Sequence, residues 1–259
     1  MTGSNGSRVR IVPATKMLIC RLIVAIGWLC LAGSTTGAEE VLLSPPGTEA
    51  WRPLSFQNIK RQTKYRPVAM DGRPAIRAEA ICSASALYLP VEVDLSRTPR
   101  LRWRWKVERG LVVHDERVKA GDDFAARVYV MFRFDRTHAG VWARFRHDVS
   151  QRIYGNEIPG NAINYVWSSR EPAGAMWDSP YASASKMISR GAGPLPDWKT
   201  EEVDIVADYL AAFGEPPPPV LGLALMSDTD NSCQRTTAYF ADFQLARPPD
   251  AGRDVAEMR

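Results

Sequence analysis

In Leu101-Arg102-Trp103-Arg104-Trp105-Lys106-Val107 apolar and basic side chains alternate one by one. The stretch Phe124-Ala125-Ala126-Arg127-Val128-Tyr129-Val130-Met131-Phe132-Arg133-Phe134 repeats the pattern, setting Arg127, Tyr129 and Arg133 against Val128, Val130 and Phe132. A period of two sends successive side chains to opposite faces of a strand, so both stretches read as half-buried antiparallel strands. Trp103 and Trp105 then belong to a core. The outer face, with Arg104, Arg127 and Tyr129, is able to meet a polar ligand. It can equally form a ladder with acids such as Glu108, Glu116 or Asp123 on a neighbouring strand.

Working outward, apolar segments bounded by turn residues fall at 75–80, 86–93, 162–168, 186–190, 220–226 and 236–245, with a small-residue turn at Ser83-Ala84-Ser85. Two segments carry helical spacing instead. Over 141–154, Val141, Trp142, Phe145, Val149 and Ile153 recur at three and four residues before Gly155. Over 201–213, Val203, Val206, Ala207, Leu210 and Phe213 do the same before Gly214 and the prolines at 216–219. Many strands and two short peripheral helices predict an all-β, mostly antiparallel fold, a β-sandwich or jelly roll. The closing strand, Ala238-Tyr239-Phe240-Ala241-Asp242-Phe243-Gln244-Leu245, is similar to the last strand of galactose-binding-like jelly rolls and carbohydrate-binding modules.

The first 38 residues hold Arg8, Arg10, Lys16 and Arg21 and no acid, then an apolar run over 22–32 and the small residues Ser34-Thr35-Thr36-Gly37-Ala38. That is the pattern of a secretory signal cleaved after Ala38. The run is short of the ~20 residues that span a bilayer, and lipid attachment at Cys30 would want a small residue where Leu29 stands. Domain organisation is therefore expected as a leader over 1–38, one domain over 39–247 and a polar tail over 248–259. The whole chain carries 33 basic and 29 acidic residues, and losing the leader leaves 29 of each. A formally neutral product gives no ground for nucleic-acid binding. No later run is apolar enough for a membrane span, and a periplasmic or secreted location is expected.

Cys20 and Cys30 leave with the leader, so Cys82 and Cys233 remain as an even pair in an oxidising compartment. A disulfide between them is expected, the alternative being two unrelated buried thiols. In jelly rolls the first and last strands often pair, which would bring the two cysteines together.

The two alternating strands do not stand alone. With Lys119-Ala120-Gly121-Asp122-Asp123 before the second of them, Asn164-Tyr165-Val166-Trp167, Ser227-Asp228-Thr229-Asp230-Asn231 and Ala238-Tyr239-Phe240-Ala241-Asp242, the chain resembles a bacterial secreted family known as domain of unknown function 3047. The resemblance spans essentially all of the mature part. It implies an exported single-domain β-rich protein and no particular activity. Cys233 departs from the expected small or polar residue after the Asp-Asn loop, which makes the disulfide a feature of this member.

Few residues offer conventional chemistry. His114, His138 and His147 lack metal-ligand spacing, no Gly-x-Ser-x-Gly elbow occurs, and Gly191-Ala192-Gly193 runs into Pro194. Asp228, Asp230 and Asn231 supply alternate oxygens like the opening of a calcium loop, but without the glycine and bidentate glutamate of an EF-hand. An Asx turn between strands explains them equally. A structural calcium is the one cofactor this allows. The long connection from Trp167 to Tyr181 adds Arg170, Trp177, Asp178 and Tyr181. Aromatic rings lie on sugar faces while Asp, Asn and Arg bind hydroxyls or acids. The candidate ligand-binding set is therefore Arg104, Asp122, Asp123, Arg127, Tyr129, Asn164, Trp177, Tyr181, Asp228 and Asp230.

The leading expectation is a non-catalytic protein that binds a carbohydrate or another anionic envelope component. A glycoside hydrolase on the same scaffold would need two carboxylates roughly 5 to 9 Å apart across a groove. A polysaccharide lyase would need Tyr129 or a histidine as base with an arginine to neutralise the substrate acid. A structural partner in an envelope complex would show a large exposed apolar patch.

Overall fold

The computed structural model describes residues 41–43, 50–56, 59–134 and 160–248. The leader, the helix expected over 141–154 with His138 and His147, and all but the first residue of the 248–259 tail lie outside them. The described residues all belong to one compact unit, Gly37–Arg259.

Two sheets face each other. The first contains β1 (Val41–Leu42), β3 (Lys64–Met70), β4 (Arg73–Ile81), β6 (Arg100–Val107), β11 (Leu195–Asp204) and β13 (Arg235–Ala246), in the order β11-β6-β13-β4-β3 with β1 also on β13. The second contains β2 (Arg52–Leu54), β5 (Ala84–Pro90), β7 (Ala126–Phe132), β8 (Ala162–Ser168), β9 (Met176–Asp178), β10 (Ser185–Ala192) and β12 (Val220–Asp228), in the order β2-β5-β12-β7-β8-β10-β9. All pairings are antiparallel except β8 with β10. The expected antiparallel sandwich is thus the observed architecture.

Alternation decides the packing. Leu101, Trp103, Trp105 and Val107 of β6 are fully buried, while Arg102, Arg104 and Lys106 point outward. Val128, Val130 and Phe132 of β7 meet them from the other sheet together with Ile163, Tyr165 and Trp167 of β8. Trp103 packs on Tyr165 with centroids 5.4 Å apart, and Trp105 on Trp167 at 6.0 Å, so aromatic pairs tie one sheet to the other.

The second expected helix starts later than its spacing suggested. Residues 201–204 continue β11, where Glu201 is buried and accepts a hydrogen bond from Trp105 Nε1 at 3.2 Å. The helix α1 (Ile205–Phe213) begins at Asp204, whose side chain accepts from the Ala207 amide, and ends at Gly214 with φ 75°. Its buried face is Ile205 and Tyr209, not the Val206 and Leu210 stripe; Leu210 is exposed. The Tyr209 ring rests on Phe132 with centroids 4.5 Å apart, and that contact sets the phase.

The last strand, β13, pairs with β1 at one end and with β4 along its length, Arg235 lying opposite Ile81, and the Cys82–Cys233 disulfide closes just beyond that β4–β13 pair. No helix among the described residues is long and apolar enough to cross a membrane.

Candidate functional site

The outward face of the second sheet is unusually rich in small side chains. Ala84 and Ala86 on β5, Ala224 on β12 and Ala162 on β8 stand where longer side chains would otherwise fill the surface, and the result is a groove. One half, a cavity of 340 Å³, is lined by Leu54, Phe56, Ala86, Met131, Ala162, Ala182, Ala184 and Ala224, with Tyr129 at its edge. The other half, 420 Å³, adds Ile59, Asp122, Arg127, Asn164, Tyr181, Met226, Asp228, Asp230 and Asn231. Both volumes lie in the range of small-molecule sites. Phe56, Tyr129, Ala182 and Ser185 line both halves, so the two are continuous.

The polar half rests on a buried ionic cluster. Arg127 projects outward from β7 between Met226 and Val166. Its Nε donates to Asp228 Oδ1 at 2.8 Å and its Nη2 to Asp228 Oδ2. Nη2 also donates to the Asp122 carbonyl, and Nη1 reaches Asp122 Oδ2 and the Tyr129 hydroxyl at 3.5 Å. The guanidinium lies 4.4 Å over the Phe124 ring. Burial opposes the Arg127 charge, but Asp122 and Asp228 outweigh it and hold the guanidinium well above its ordinary pKa. Burial also pushes Asp228 up, to about 8, against the pull of Arg127, and pushes Asp122 upward as well. The Tyr129 hydroxyl is driven up to about 12 by burial.

Two turns are stapled together to build this corner. Gly121, after a short 3-10 turn over Lys119–Gly121, is confined by Asp115; a Cβ there would fall 1.9 Å from the Asp115 carbonyl oxygen. That close approach sets Asp122 and Asp123 at the mouth of β7. Asp123 Oδ1 accepts from the Asn231 amide and side chain, and its Oδ2 accepts from the Ser232 amide at 2.6 Å. Asp228 Oδ1 accepts from the Phe124 amide at 3.3 Å. Carboxylate oxygens of Asp123, Asp228 and Asp230 consequently converge within 4.8 Å of one another. Both Asp228 oxygens and both Asp123 oxygens are already engaged, which leaves few free ligands for the six to eight oxygens that calcium takes.

Two buried acceptors in the groove have no hydrogen-bond partner among the described residues, Asp122 Oδ1 and Asn164 Oδ1. Asn164 is held by a bond from its Nδ2 to Ser185 Oγ. Tyr181, more than half exposed, donates to Asn231 Oδ1 at 3.3 Å and forms part of the wall.

Eight of the ten expected ligand residues therefore gather at one place: Asp122, Asp123, Arg127, Tyr129, Asn164, Tyr181, Asp228 and Asp230. Two do not. Arg104 lies on the outer face of the other sheet, where its Nε donates to Asp242 Oδ2 at 2.6 Å and its guanidinium covers Trp198 at 4.9 Å. Trp177, on β9, lines neither half of the groove; it is buried with Phe124, Val166 and Met187, and Arg117 stacks on it at 5.5 Å. The basic face of β6 is paired with acids, as the ladder alternative had it, though the acids are Glu202 and Asp242. The apolar half, with Leu54 and Phe56, was not expected. Alanines at the outward phase of β5, β8 and β12 are the signal that would have located it.

Residues 49–244 match the family described as “Protein of unknown function (DUF3047)”. No curated protein matches the chain. Similar solved structures include the family 11 carbohydrate-binding module of cellulosomal cellulase Lic26A-Cel5E of Clostridium thermocellum, at 9% identity and a TM-score of 0.43, covering 84% of this chain and 100% of that one. Endoglucanase 3 of Trichoderma harzianum, from family GH12, has 9% identity and a TM-score of 0.38 over 82% of this chain and 97% of that one. The native family 12 xyloglucanase of Bacillus licheniformis has 7% identity and a TM-score of 0.40 over 82% and 100%. Likenesses of that degree transfer no site residue.

Proposed function

The chain belongs to the family of unknown function DUF3047, and we propose that it is an exported, non-catalytic protein whose groove on the second sheet binds a carbohydrate. The carrying observation is the pair of orphaned buried acceptors, Asp122 Oδ1 and Asn164 Oδ1, beside an apolar wall. Buried acceptors without donors cost free energy, and a ligand with several hydroxyls relieves that cost while its apolar ring faces rest on Phe56, Tyr129 and Tyr181. A jelly-roll or galactose-binding-like arrangement fits this reading, since β4, β5, β6 and β7 alternate between the two sheets.

An anionic ligand fits the groove poorly. Asp122, Asp228 and Asp230 line it, and the donors of Arg127 are turned toward Asp122 and Asp228. Lyase chemistry meets the same obstacle: Arg127 has no free edge for a substrate acid, and a Tyr129 hydroxyl held near 12 is a reluctant base. For hydrolysis, the clustered acids sit in one corner rather than across the groove from each other. The disulfide supports an oxidising location outside the cytoplasm.

The test is titration calorimetry of the purified protein with a panel of oligosaccharides. A saturable isotherm for one class, weakened about tenfold in Asn164→Ala, is expected. A panel with no binding would remove the carbohydrate reading. Fractionating cells that express the full chain tests export. Protein in the periplasm or medium with Glu39 at its N-terminus is expected, whereas retention in the cytosol with residues 1–38 attached contradicts it.

A further inference from the structure

The polar half of the groove holds more carboxyl groups than its own cation can pair. Asp122, Asp228 and Asp230 line it against Arg127, and the Asp123 carboxylate stands within 4.8 Å of those of Asp228 and Asp230. Arg127 donates only inward, to Asp228, Asp122 and Tyr129. Lys119, exposed, lies over the outer edge of the wall, its Nζ 5.4 Å from the Tyr181 ring centroid. Asp122 and Asn164, only 5% and 1% exposed, line this cavity, and each keeps one buried side-chain oxygen without a partner. A sugar hydroxyl would satisfy such an oxygen but brings a single donor and no charge to the surplus carboxyl groups. A primary ammonium brings three donors and a positive charge together.

We propose that the groove selects a glycan with free primary amines, an amino-sugar oligomer whose ammonium group enters the acidic corner while a neighbouring ring lies along the alanine-rich half. This deepens the carbohydrate reading and rests on it. A divalent cation is less well served at the same corner, because the oxygens of Asp228 and Asp123 are already taken by Arg127 and by backbone amides.

Calorimetry of the purified protein near neutral pH decides the matter with three tetramers of one linkage: glucosamine, N-acetylglucosamine and glucose. The glucosamine tetramer should bind about tenfold more tightly than the other two. Its affinity should fall more steeply than theirs between about 50 and about 500 mM salt. Asp230→Asn, half-exposed and outside the Arg127 pair, should remove most of that preference while leaving the unfolding midpoint near that of the unaltered protein. A glucose or N-acetylglucosamine tetramer that binds as well or better overturns the amine inference and leaves the carbohydrate reading standing. Free spermidine binding as tightly as the glucosamine tetramer, or calcium alone binding in an Asp230-dependent way, also overturns it. If no tetramer binds, the amine inference falls, and the carbohydrate reading is decided separately by the wider oligosaccharide panel.

Discussion

Arg127 keeps only 4% of its side chain in contact with solvent, and both of its carboxylate partners are as deeply placed. Removing one partner of such a cluster strands the other without water to solvate it. Arg127→Ala should therefore lose about 3 to 5 kcal/mol of stability in urea denaturation. Arg133→Ala, in an exposed pair with Glu92, should change it by less than about 1 kcal/mol. Tyr129→Phe should cost about 1 kcal/mol or less, since the hydroxyl makes only 3.5 Å contacts. Titration has a direction too. Burial raises Asp122, Asp228, Asp230, Asp208 and Glu116 above the ordinary carboxylate range, Asp228 to about 8. The folded chain then holds these protons more tightly than the unfolded chain does. Their stabilising contribution is full below about pH 4 and is lost as pH rises through the raised values toward 8. The melting temperature should decline across that window, and a steady rise from pH 4 to pH 8 would contradict it.

At the scale of elements, strands were legible wherever a sheet had a neighbour on both sides. The interior strands β4, β5, β6, β7, β8, β10, β12 and β13 all appear in the sequence reading, β8 at its observed bounds. Those it missed include the four edges, β2, β3, β9 and β11. An edge strand exposes most of its residues and admits proline, so alternation is diluted: β3 has Pro67 and one side largely in solvent, and β11 has Pro196 and five charged residues. The helix α1 teaches a related lesson. Three- and four-residue spacing was present on two stripes, and the choice between them was made by Phe132 and Asn161, which receive Tyr209. Tyr209→Ala should cost about 3 to 5 kcal/mol, whereas Leu210→Ala should stay within about 0.5 kcal/mol in thermal unfolding. Gly214→Ala, at φ 75°, should cost about 1 kcal/mol, because a side chain is strained in that left-handed turn.

Across the whole molecule, the disulfide joins residues 151 apart in sequence and closes beside the turn that holds Asp228 and Asp230. In the chain-entropy account a loop of that length stabilises by about 5 kcal/mol. Reduction, or Cys82→Ser with Cys233→Ser, should lower the urea midpoint accordingly. It should also weaken ligand binding, since Ser83 and Thr229 bond to each other next to the bridge. An unchanged midpoint after verified reduction would contradict this. Alternation and composition were enough to determine which side chains turn inward and that two sheets enclose Trp103 and Trp105, and they led to the expectation that Cys82 pairs with Cys233. A period of two assigns each side chain a face, and burial of apolar surface then follows without knowledge of its neighbours. Strand order and register decided the rest, because they alone choose who stands beside whom. They set Arg127 against Asp228 rather than against a ligand, sent Arg104 to the opposite sheet, and brought alanines from three strands together to open the groove.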